Sequence, residues 1–249
     1  MRKNFIYYKS LLRIVWIYLI DKIIFRKPAA VLMYHSVDSN NEFFTVTPNN
    51  FEWQMGYLRK NGFNVVSLAE LVEHIKSNKK IPVKTVVLTF DDGYEDNFLD
   101  VFPILKKYNL PATIFLMTGF IGRKDYTKRE IKLPMLDWTQ IKEMHDSGLV
   151  YFEPHTVGHP KLSRLGHAEI EKELSGSKKE IEEKLNKKCQ FFAYPKGDYN
   201  EVVLGTTKKF FRAALTINRG FTNREDEPYL LKRNSVDSLT DKFRFKMKI

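Results

Sequence analysis

The sequence predicts an α/β fold in which parallel strands alternate with helices around a distorted barrel. Short apolar runs rich in β-branched residues recur along the chain, as at 29–34, 85–88 and 112–117. Such runs are typical of strands buried on both faces of a parallel sheet. Helical segments with short connectors separate them, and the number of these repeats over 249 residues favours a barrel.

Strands are assigned where apolar residues run between turn signals. In chain order they cover 29–36, 65–66, 85–88, 112–117, 149–152, 210–216 and 230–236. The carboxyl ends of parallel strands meet at one edge of a barrel or open sheet, where ligands and catalytic groups collect. The polar residues that follow these strands are therefore the candidates for a functional site.

Helices are assigned from capping residues and from apolar residues spaced three or four apart. Thr47 is the N-cap of the first helix, and Ser67 opens a capping box for the second. A third helix over 95–108 contains Pro103, which should kink or break it. Two more follow, one from 136 to about Gly148 and one with the core-facing stripe Ile170, Leu174, Ile181 and Leu185.

Composition and charge exclude several classes of function. Apolar residues make up 43% of the chain and charged residues 29%, as in an ordinary globular protein. The net charge is +11, but the lysine pairs are scattered and accompany no nucleic-acid motif, so no nucleic acid is expected. A basic surface favours anionic partners such as lipid headgroups or an acidic glycan. The single cysteine, Cys189, excludes an internal disulfide framework.

Residues 1–27 are treated as a segment of their own before a domain spanning 28–249. The segment is dense in aromatic and aliphatic residues, but its longest uncharged apolar run is far below the roughly 20 residues of a spanning helix. Two interpretations stay open: a hydrophobic, amphipathic helix on a membrane surface, and a helix packed against the domain. We expect a membrane-associated monomer at the cytoplasmic face, with a signal-anchored extracytoplasmic protein as the alternative. The basic tail 242–248 is expected to be loosely held or to face the membrane.

Two adjacent carboxylates, Asp91 and Asp92, follow the strand 85–88. Successive side chains on a strand alternate in direction, so the two acids are expected to differ in role, one holding a metal and the other taking a proton. Gly93 lets the backbone turn sharply beneath them. Asp-Asp-Gly is also ordinary turn chemistry, and a second element is needed to decide between the two interpretations.

Two histidines four residues apart, His155 and His159, provide that element. They follow the strand 149–152 in a loop bracketed by prolines, so their spacing is not helical. A histidine pair in a loop is often a surface accident, but one aspartate and two histidines make a facial metal site with open positions for water and substrate. Together the two motifs predict a metal centre at the carboxyl edge of the strands.

These motifs resemble those of the polysaccharide deacetylases of carbohydrate esterase family 4, the NodB-homology domain, and look closest to the poly-N-acetylglucosamine branch. The segments 89–93, 155–159 and 192–197 resemble the family's first, second and third motifs. The resemblance runs from about residue 30 to about residue 236. It implies a barrel of the NodB type and removal of an N-acetyl or O-acetyl group from a carbohydrate, such as N-acetylhexosamine units of a cell-surface polysaccharide or its precursor.

The resemblance also implies a role for each matching residue. Asp91 would be the general base, and the backbone N–H of Lys196 would help to hold the oxyanion. Asp92, His155 and His159 would hold a divalent metal, with Zn²⁺ favoured over Co²⁺, Ni²⁺ or Fe²⁺.

Two positions depart from the family pattern. Ala193 stands where many members have an arginine that orients the base, and Arg233 stands where many have the histidine of a terminal Leu-x-His motif. The general acid is therefore unassigned. Arg233 is the candidate for stabilising charge or orienting Asp91.

An acetylated glycan is the expected substrate. The residues expected to contact it are His35, Tyr94, Trp138, Tyr194 and Pro195. Trp138 offers an aromatic face that suits a pyranose ring, although it could equally pack its own helix down. The basic segment 119–135 is a candidate lid or glycan-contacting loop.

Two other functions remain as alternatives. One is a catalytically impaired carbohydrate-binding protein on the same fold, its activity lost with the third-motif arginine and the terminal histidine. The other is a membrane-surface binding module driven by charge and residues 1–27. The four intact residues at positions 91, 92, 155 and 159 favour the enzyme.

Overall fold

The computed structural model describes residues 29–40, 42–124, 126–128 and 131–249, so the expected N-terminal helix within 1–27 lies outside the described residues. The strands are β1 (Ala29–Tyr34), β2 (Ser36–Val37), β3 (Thr45–Val46), β4 (Asn64–Val65), β5 (Thr85–Asp92), β6 (Ala112–Leu116), β7 (Thr127–Lys128), β8 (Ile131–Lys132), β9 (Val150–Pro154), β10 (Phe191–Ala193), β11 (Ala213–Leu215) and β12 (Asn234–Ser235). The α-helices are α1 (Pro48–Lys60), α2 (Leu68–Lys76), α3 (Phe102–Tyr108), α4 (Trp138–Asp146), α5 (His167–Leu185), α6 (Glu201–Phe210) and α7 (Lys242–Lys248).

A six-stranded parallel sheet forms the centre of the protein, with the order β12-β1-β5-β6-β9 and with β4 paired to β5. This confirms the predicted α/β fold with a parallel sheet. The register places Asp92 beside Leu116, and Leu116 beside Pro154. The residues that follow β5, β6 and β9 therefore emerge at the same edge, as expected for parallel strands.

A second parallel sheet, β10 with β11, completes the interior. Its inward side chains belong to one apolar cluster with those of the main sheet, including Val31, Val87, Phe115 and Leu215. On one side a bridge between Leu215 and Leu231 leads back toward β12. On the other side, within the described part of the chain, no ladder joins β9 to β10.

The Glu153 side chain joins β9 to β10 where the ladder is missing. Its Oε2 accepts the N–H groups of Gln190 and Phe191 at 2.8 and 2.9 Å. Its Oε1 forms an ion pair with Lys187 Nζ at 2.9 Å. Glu153 is buried, and burial raises the pKa of its carboxyl group, although the Lys187 charge and these hydrogen bonds oppose the rise. A carboxylate thus replaces backbone pairing at this junction.

The ends of several elements follow the predicted signals. Thr47 and Ser67 cap α1 and α2 by accepting the N–H groups of Asn50 and Glu70. The helix predicted over 95–108 is split, because a π-helical turn at Asn97–Val101 precedes α3 and Pro103 occupies its first turn.

The structure corrects two predicted strand boundaries and shows that the tail is ordered. The strand predicted at 210–216 is shorter, because α6 extends to Phe210 and β11 begins at Ala213. In the segment predicted at 230–236, the ladder strand covers Asn234–Ser235 alone. The tail 242–248 is a capped helix instead of a loose segment. Among the described helices, none has the length and apolar character needed to cross a bilayer.

Replacing Glu153 by alanine should lower the free energy of unfolding by about 3 kcal/mol, because it leaves a half-buried lysine and two backbone N–H groups without their partner. Chemical denaturation followed by circular dichroism would measure this. The matched control is Glu183→Ala, which removes an exposed pair with Lys179 at 3.7 Å and should change stability by less than about 0.5 kcal/mol. Equal effects of the two substitutions would contradict the structural role of Glu153.

Candidate active site

The first part of the site lies where β5 ends and the chain turns. Asp91 and Asp92 are both buried, and alternation along the strand points their side chains in different directions. Asp92 and Gly93 both have positive φ, at 74° and 82°. A Cβ at Gly93 would lie 2.7 Å from Leu116 Cδ2, so a larger residue there would strain the backbone and require Leu116 to move.

Asp92, His155 and His159 converge in a cluster that can hold a metal ion, since one ligand atom from each lies within 4.8 Å of the others. Asp92 Oδ1 is 3.8 Å from His155 Nε2 and 3.6 Å from His159 Nε2. Ligand atoms in a tetrahedral zinc site lie about 3.3 Å apart, given bonds of roughly 2.0–2.1 Å. The donor set and its spacing therefore fit a divalent ion with only a small contraction.

Hydrogen bonds to neighbouring groups orient the His155 and Asp92 side chains. His155 Nδ1–H donates to the Ala193 carbonyl at 2.7 Å, which leaves Nε2 as the ligand atom. Tyr94 Oη donates to Asp92 Oδ2 at 2.6 Å, which leaves Oδ1 facing the histidines. Burial and the Asp92 charge raise the Tyr94 pKa, so the hydroxyl keeps the proton that it donates.

The histidine loop is held by an acid from α5. Glu173 Oε2 accepts the N–H groups of Val157 and Gly158, both at 2.9 Å. Within the loop, Thr156 Oγ1 accepts the His159 N–H at 2.9 Å. The sequence reasoning missed Glu173, since nothing in the α5 pattern separates it from the solvent-facing acids around it. The Thr156 contact could have been found, because threonine commonly bonds to the backbone in turns.

Backbone strain is concentrated around this cluster. Among the described residues, eight non-glycine residues have positive φ, and four of them are Asp92, Thr156, His159 and Lys196. Non-glycine residues rarely adopt this conformation, although asparagine, aspartate and histidine do so more often than the others. Each such residue costs on the order of 1 kcal/mol or more of conformational free energy. The fold therefore holds these loops in conformations that the isolated segments would avoid.

Arg233 binds Asp91 through both carboxylate oxygens. Its Nη1 lies 2.7 Å from Oδ1 and its Nη2 lies 2.8 Å from Oδ2, and both residues are buried. The guanidinium is itself held by Nε donating to the Thr216 carbonyl at 2.9 Å. Burial alone would raise the Asp91 pKa, but Arg233, with smaller contributions from His155 and His35, lowers it below its usual value. The Asp91 carboxyl group is therefore held in its ionised form.

The remaining predicted residues differ in where they lie. Lys196 is beside the cluster, because its Nζ donates to the His159 carbonyl at 3.3 Å. His35 follows β1, partly exposed, and its charge reaches Asp91. Tyr194 and Pro195 are buried, and Tyr194 packs on Phe192 and Tyr199 in the core. Trp138 lies in a groove between α4 and α5, with Lys184 Nζ 5.8 Å from its ring centroid.

The end of the segment 119–135 forms a fixed wall beside the site. Met135 forms a bridge with Tyr94, and the Glu95 N–H donates to the Pro134 carbonyl at 2.7 Å. Leu133 and Met135 are buried in a small cluster with Phe44 and Tyr94. This part of the predicted lid is thus packed against the turn that carries Asp92.

Comparisons with known proteins agree with the geometry. A family model described as polysaccharide deacetylase matches residues 78–211. "Putative polysaccharide deacetylase YxkH" of Bacillus subtilis (strain 168) is 35% identical over 213 residues, which are 84% of this chain and 72% of that protein. The poly-beta-1,6-N-acetyl-D-glucosamine N-deacetylase of Staphylococcus aureus (strain MSSA476) is 32% identical over 174 residues. That match spans 67% of this chain and 58% of the length of the Staphylococcus protein.

A solved structure gives the same result at the level of the fold. The Streptococcus pyogenes deacetylase PplD, solved in complex with acetate, superposes with a TM-score of 0.78 at 27% identity. The superposition covers 88% of this chain and 97% of PplD. With an Asp-His-His cluster beside the buried Asp91 carboxylate, and with matches in sequence and in structure over most of its length, this chain belongs to the polysaccharide deacetylase family.

Proposed function

We propose that this protein hydrolyses the N-acetyl group of hexosamine units in a polysaccharide, in a metal-dependent reaction. The observation that carries the proposal is the placement of an ionised, buried Asp91 directly beside the Asp92, His155 and His159 cluster. The names of two relatives support the substrate class, since one acts on poly-N-acetylglucosamine and the other binds acetate, the product of deacetylation.

Asp92, His155 and His159 would hold the metal, for which we favour Zn²⁺ because one carboxylate oxygen and two imidazole nitrogens suit it well. A divalent ion at this position would polarise the acetyl carbonyl and lower the pKa of a bound water toward about 7. Co²⁺, Ni²⁺ and Fe²⁺ suit the same donors, so metal analysis of the purified protein must decide among them.

The residues around the cluster have separate tasks in this proposal. Asp91 takes the proton of the attacking water, while Arg233 holds its carboxylate in place and keeps it ionised. The Lys196 N–H donates to the carbonyl oxygen as negative charge develops there. Lys196 has a strained positive φ of 58°, as is common for residues held in place at functional sites.

His35 is our candidate for delivering a proton to the departing amine. The groups that lower the Asp91 pKa are Arg233, His155 and His35. Arg233 does not give up a proton, and His155 is buried in the cluster with its Nδ1–H on Ala193. His35 is the partly exposed member of the three, at the carboxyl end of β1.

The alternative function, a carbohydrate-binding protein with an impaired site, rested on the missing arginine of the third motif and on the missing terminal histidine. The ion pair between Asp91 and Arg233 argues against it, because a guanidinium from a different segment holds the base. We also infer that the two sheets form one distorted barrel of the NodB type. Their common apolar interior and the Glu153 junction support this inference.

Asp91→Asn should lower kcat for acetate release by at least about 100-fold without loss of metal, because it removes the base and keeps all three ligands. The assay would follow acetate from poly-N-acetylglucosamine fragments and chitooligosaccharides, with metal quantified in the same preparation. The control is Asp146→Asn at the exposed pair with Lys142, which should leave the rate unchanged. A metal-free wild-type protein would sink the mechanism, and bound metal without release from any acetylated glycan would favour the binding alternative.

Arg233→Met should destabilise the protein by about 3–5 kcal/mol, because it leaves the Asp91 charge buried without a cation. The double variant Arg233→Met, Asp91→Asn should be more stable than Arg233→Met, since the uncompensated charge is gone. Urea unfolding of the four proteins of this cycle measures the coupling. Additive effects would show that the two side chains do not stabilise each other.

His35→Gln should lower kcat on the glycan by about 100-fold or more while metal content stays the same. An aryl acetate has a leaving group that needs no proton, so on that substrate the same variant should keep most of its activity. Asp91→Asn should lose activity on both substrates. If His35→Gln lost both activities to the same extent, His35 would not be the proton donor.

A further inference from the structure

The C-terminal helix α7 is fixed to the domain by one buried anchor. Phe245 is buried and meets the rings of Trp53 and Tyr57 edge-on, with centroids 6.0 and 6.4 Å away. Asp241 caps the helix by accepting the Arg244 N–H at 2.7 Å. At its other end the Lys248 carbonyl accepts from Asn234 Nδ2 at 2.9 Å. The side chains on the outer face are therefore held in a defined position.

That outer face exposes large apolar side chains. Phe243 is 72% exposed and Met247 is 54% exposed, and their spacing of four places them on the same side of α7. Leu239, just before the helix, is 69% exposed. Single exposed apolar residues are ordinary, but three within nine residues of sequence indicate a surface that meets another apolar phase.

Cationic residues alternate with these apolar ones along α7. They are Lys242, Arg244, Lys246 and Lys248, all on the same short helix. Lys242 Nζ lies 5.2 Å from the Trp53 ring centroid, and Lys246 Nζ lies 5.3 Å from the Tyr57 ring centroid. The rings therefore hold two of the cations at the rim of the helix, beside the exposed apolar side chains.

We propose that α7 and Leu239, the C-terminal docking face, bind an anionic membrane surface. Phe243 and Met247 would enter the boundary between headgroups and acyl chains, and the lysines and arginine would contact anionic headgroups. A soluble polyanion offers charge but no apolar phase for Phe243, Met247 and Leu239. The combination of charge and apolar exposure therefore favours lipid.

The docking face is connected to the candidate active site. The Ser238 N–H, one residue before Leu239, donates to the Phe43 carbonyl at 3.0 Å. The neighbouring Phe44 ring lies 6.0 Å from those of His35 and Tyr94, and Tyr94 binds Asp92. Docking would thus hold the mouth of the site close to the bilayer. This last step rests on the proposed function, whereas the docking itself does not.

A fluorescent label at position 247 tests the proposal on the full chain. Met247→Cys can be labelled selectively with a polarity-sensitive dye, because the native Cys189 is buried. With vesicles of phosphatidylglycerol and phosphatidylcholine we expect a blue shift and quenching by doxyl-labelled lipids. Neutral phosphatidylcholine vesicles should give neither.

The matched control is Leu99→Cys, at a leucine that is 60% exposed. A dye at this position should stay in water with both kinds of vesicle. If the protein sedimented with anionic vesicles but the dye at position 247 showed no blue shift, another part of the chain, such as residues 1–27, would be binding the membrane. That result would overturn the proposal.

Two double variants separate lipid from a soluble polyanion. Phe243→Ser with Met247→Ser should weaken vesicle binding by about tenfold, as expected for lost apolar burial. Lys242→Gln with Lys246→Gln should weaken it by about fivefold for each lysine, equivalent to about 1 kcal/mol at 25 °C. The control Lys79→Gln with Lys80→Gln should weaken it less. Binding that depends on the lysines alone, and that soluble polyphosphate removes fully, would assign the face to a soluble polyanion. Acetate release from a soluble substrate should be unchanged in every variant, so a failure of docking is distinguishable from a failure of the proposed function.

Discussion

The buried carboxylate of Asp91 depends on Arg233, and much of the site depends on that pair. An ionised aspartate away from water is stable only with a cation and several hydrogen bonds around it. The guanidinium that meets this need arrives from the segment before β12, which is 142 positions away in sequence. Because β12 pairs with β1, and β1 with β5, the sheet brings the two side chains to the same interior. One ion pair therefore links the geometry of the candidate site to the pairing of the last strand, β12, with the central sheet.

The sequence predicted the centre of the site well, because its residues follow apolar strands that parallel pairing brings together. Asp91, Asp92, His155 and His159 meet as expected. The contact between Arg233 and Asp91 was harder to predict, because it depends on which strand of the sheet the last strand, β12, pairs with. Tyr194 was harder to place for another reason. It belongs to the third motif, yet its side chain is buried in the core, since alternation along the extended chain turns it away from the candidate site. Position within a motif does not determine side-chain direction.

Element boundaries were less predictable than element types. Residues 210–216 are apolar enough for a strand, yet their first residue completes α6, because the helix hydrogen-bonding pattern carries on to Phe210. The basic tail 242–248 was expected to be loosely held or to face the membrane; an aromatic anchor and an aspartate cap order it as a helix. In both cases the local composition allows more than one secondary structure, and tertiary packing selects the one that forms. Residues 1–27 lie outside the described structure, and their contribution is a separate question.

The Glu153 junction affects the spacing of two loops at the candidate site. The histidine loop follows β9 and the Lys196 loop follows β10, and one side chain, Glu153, joins the two strands that carry these loops. A backbone ladder would fix that spacing at about 4.8 Å between strands. A carboxylate instead sets it by its own length, so we expect Glu153→Asp to change the spacing of the two loops while the residues of the candidate site stay the same.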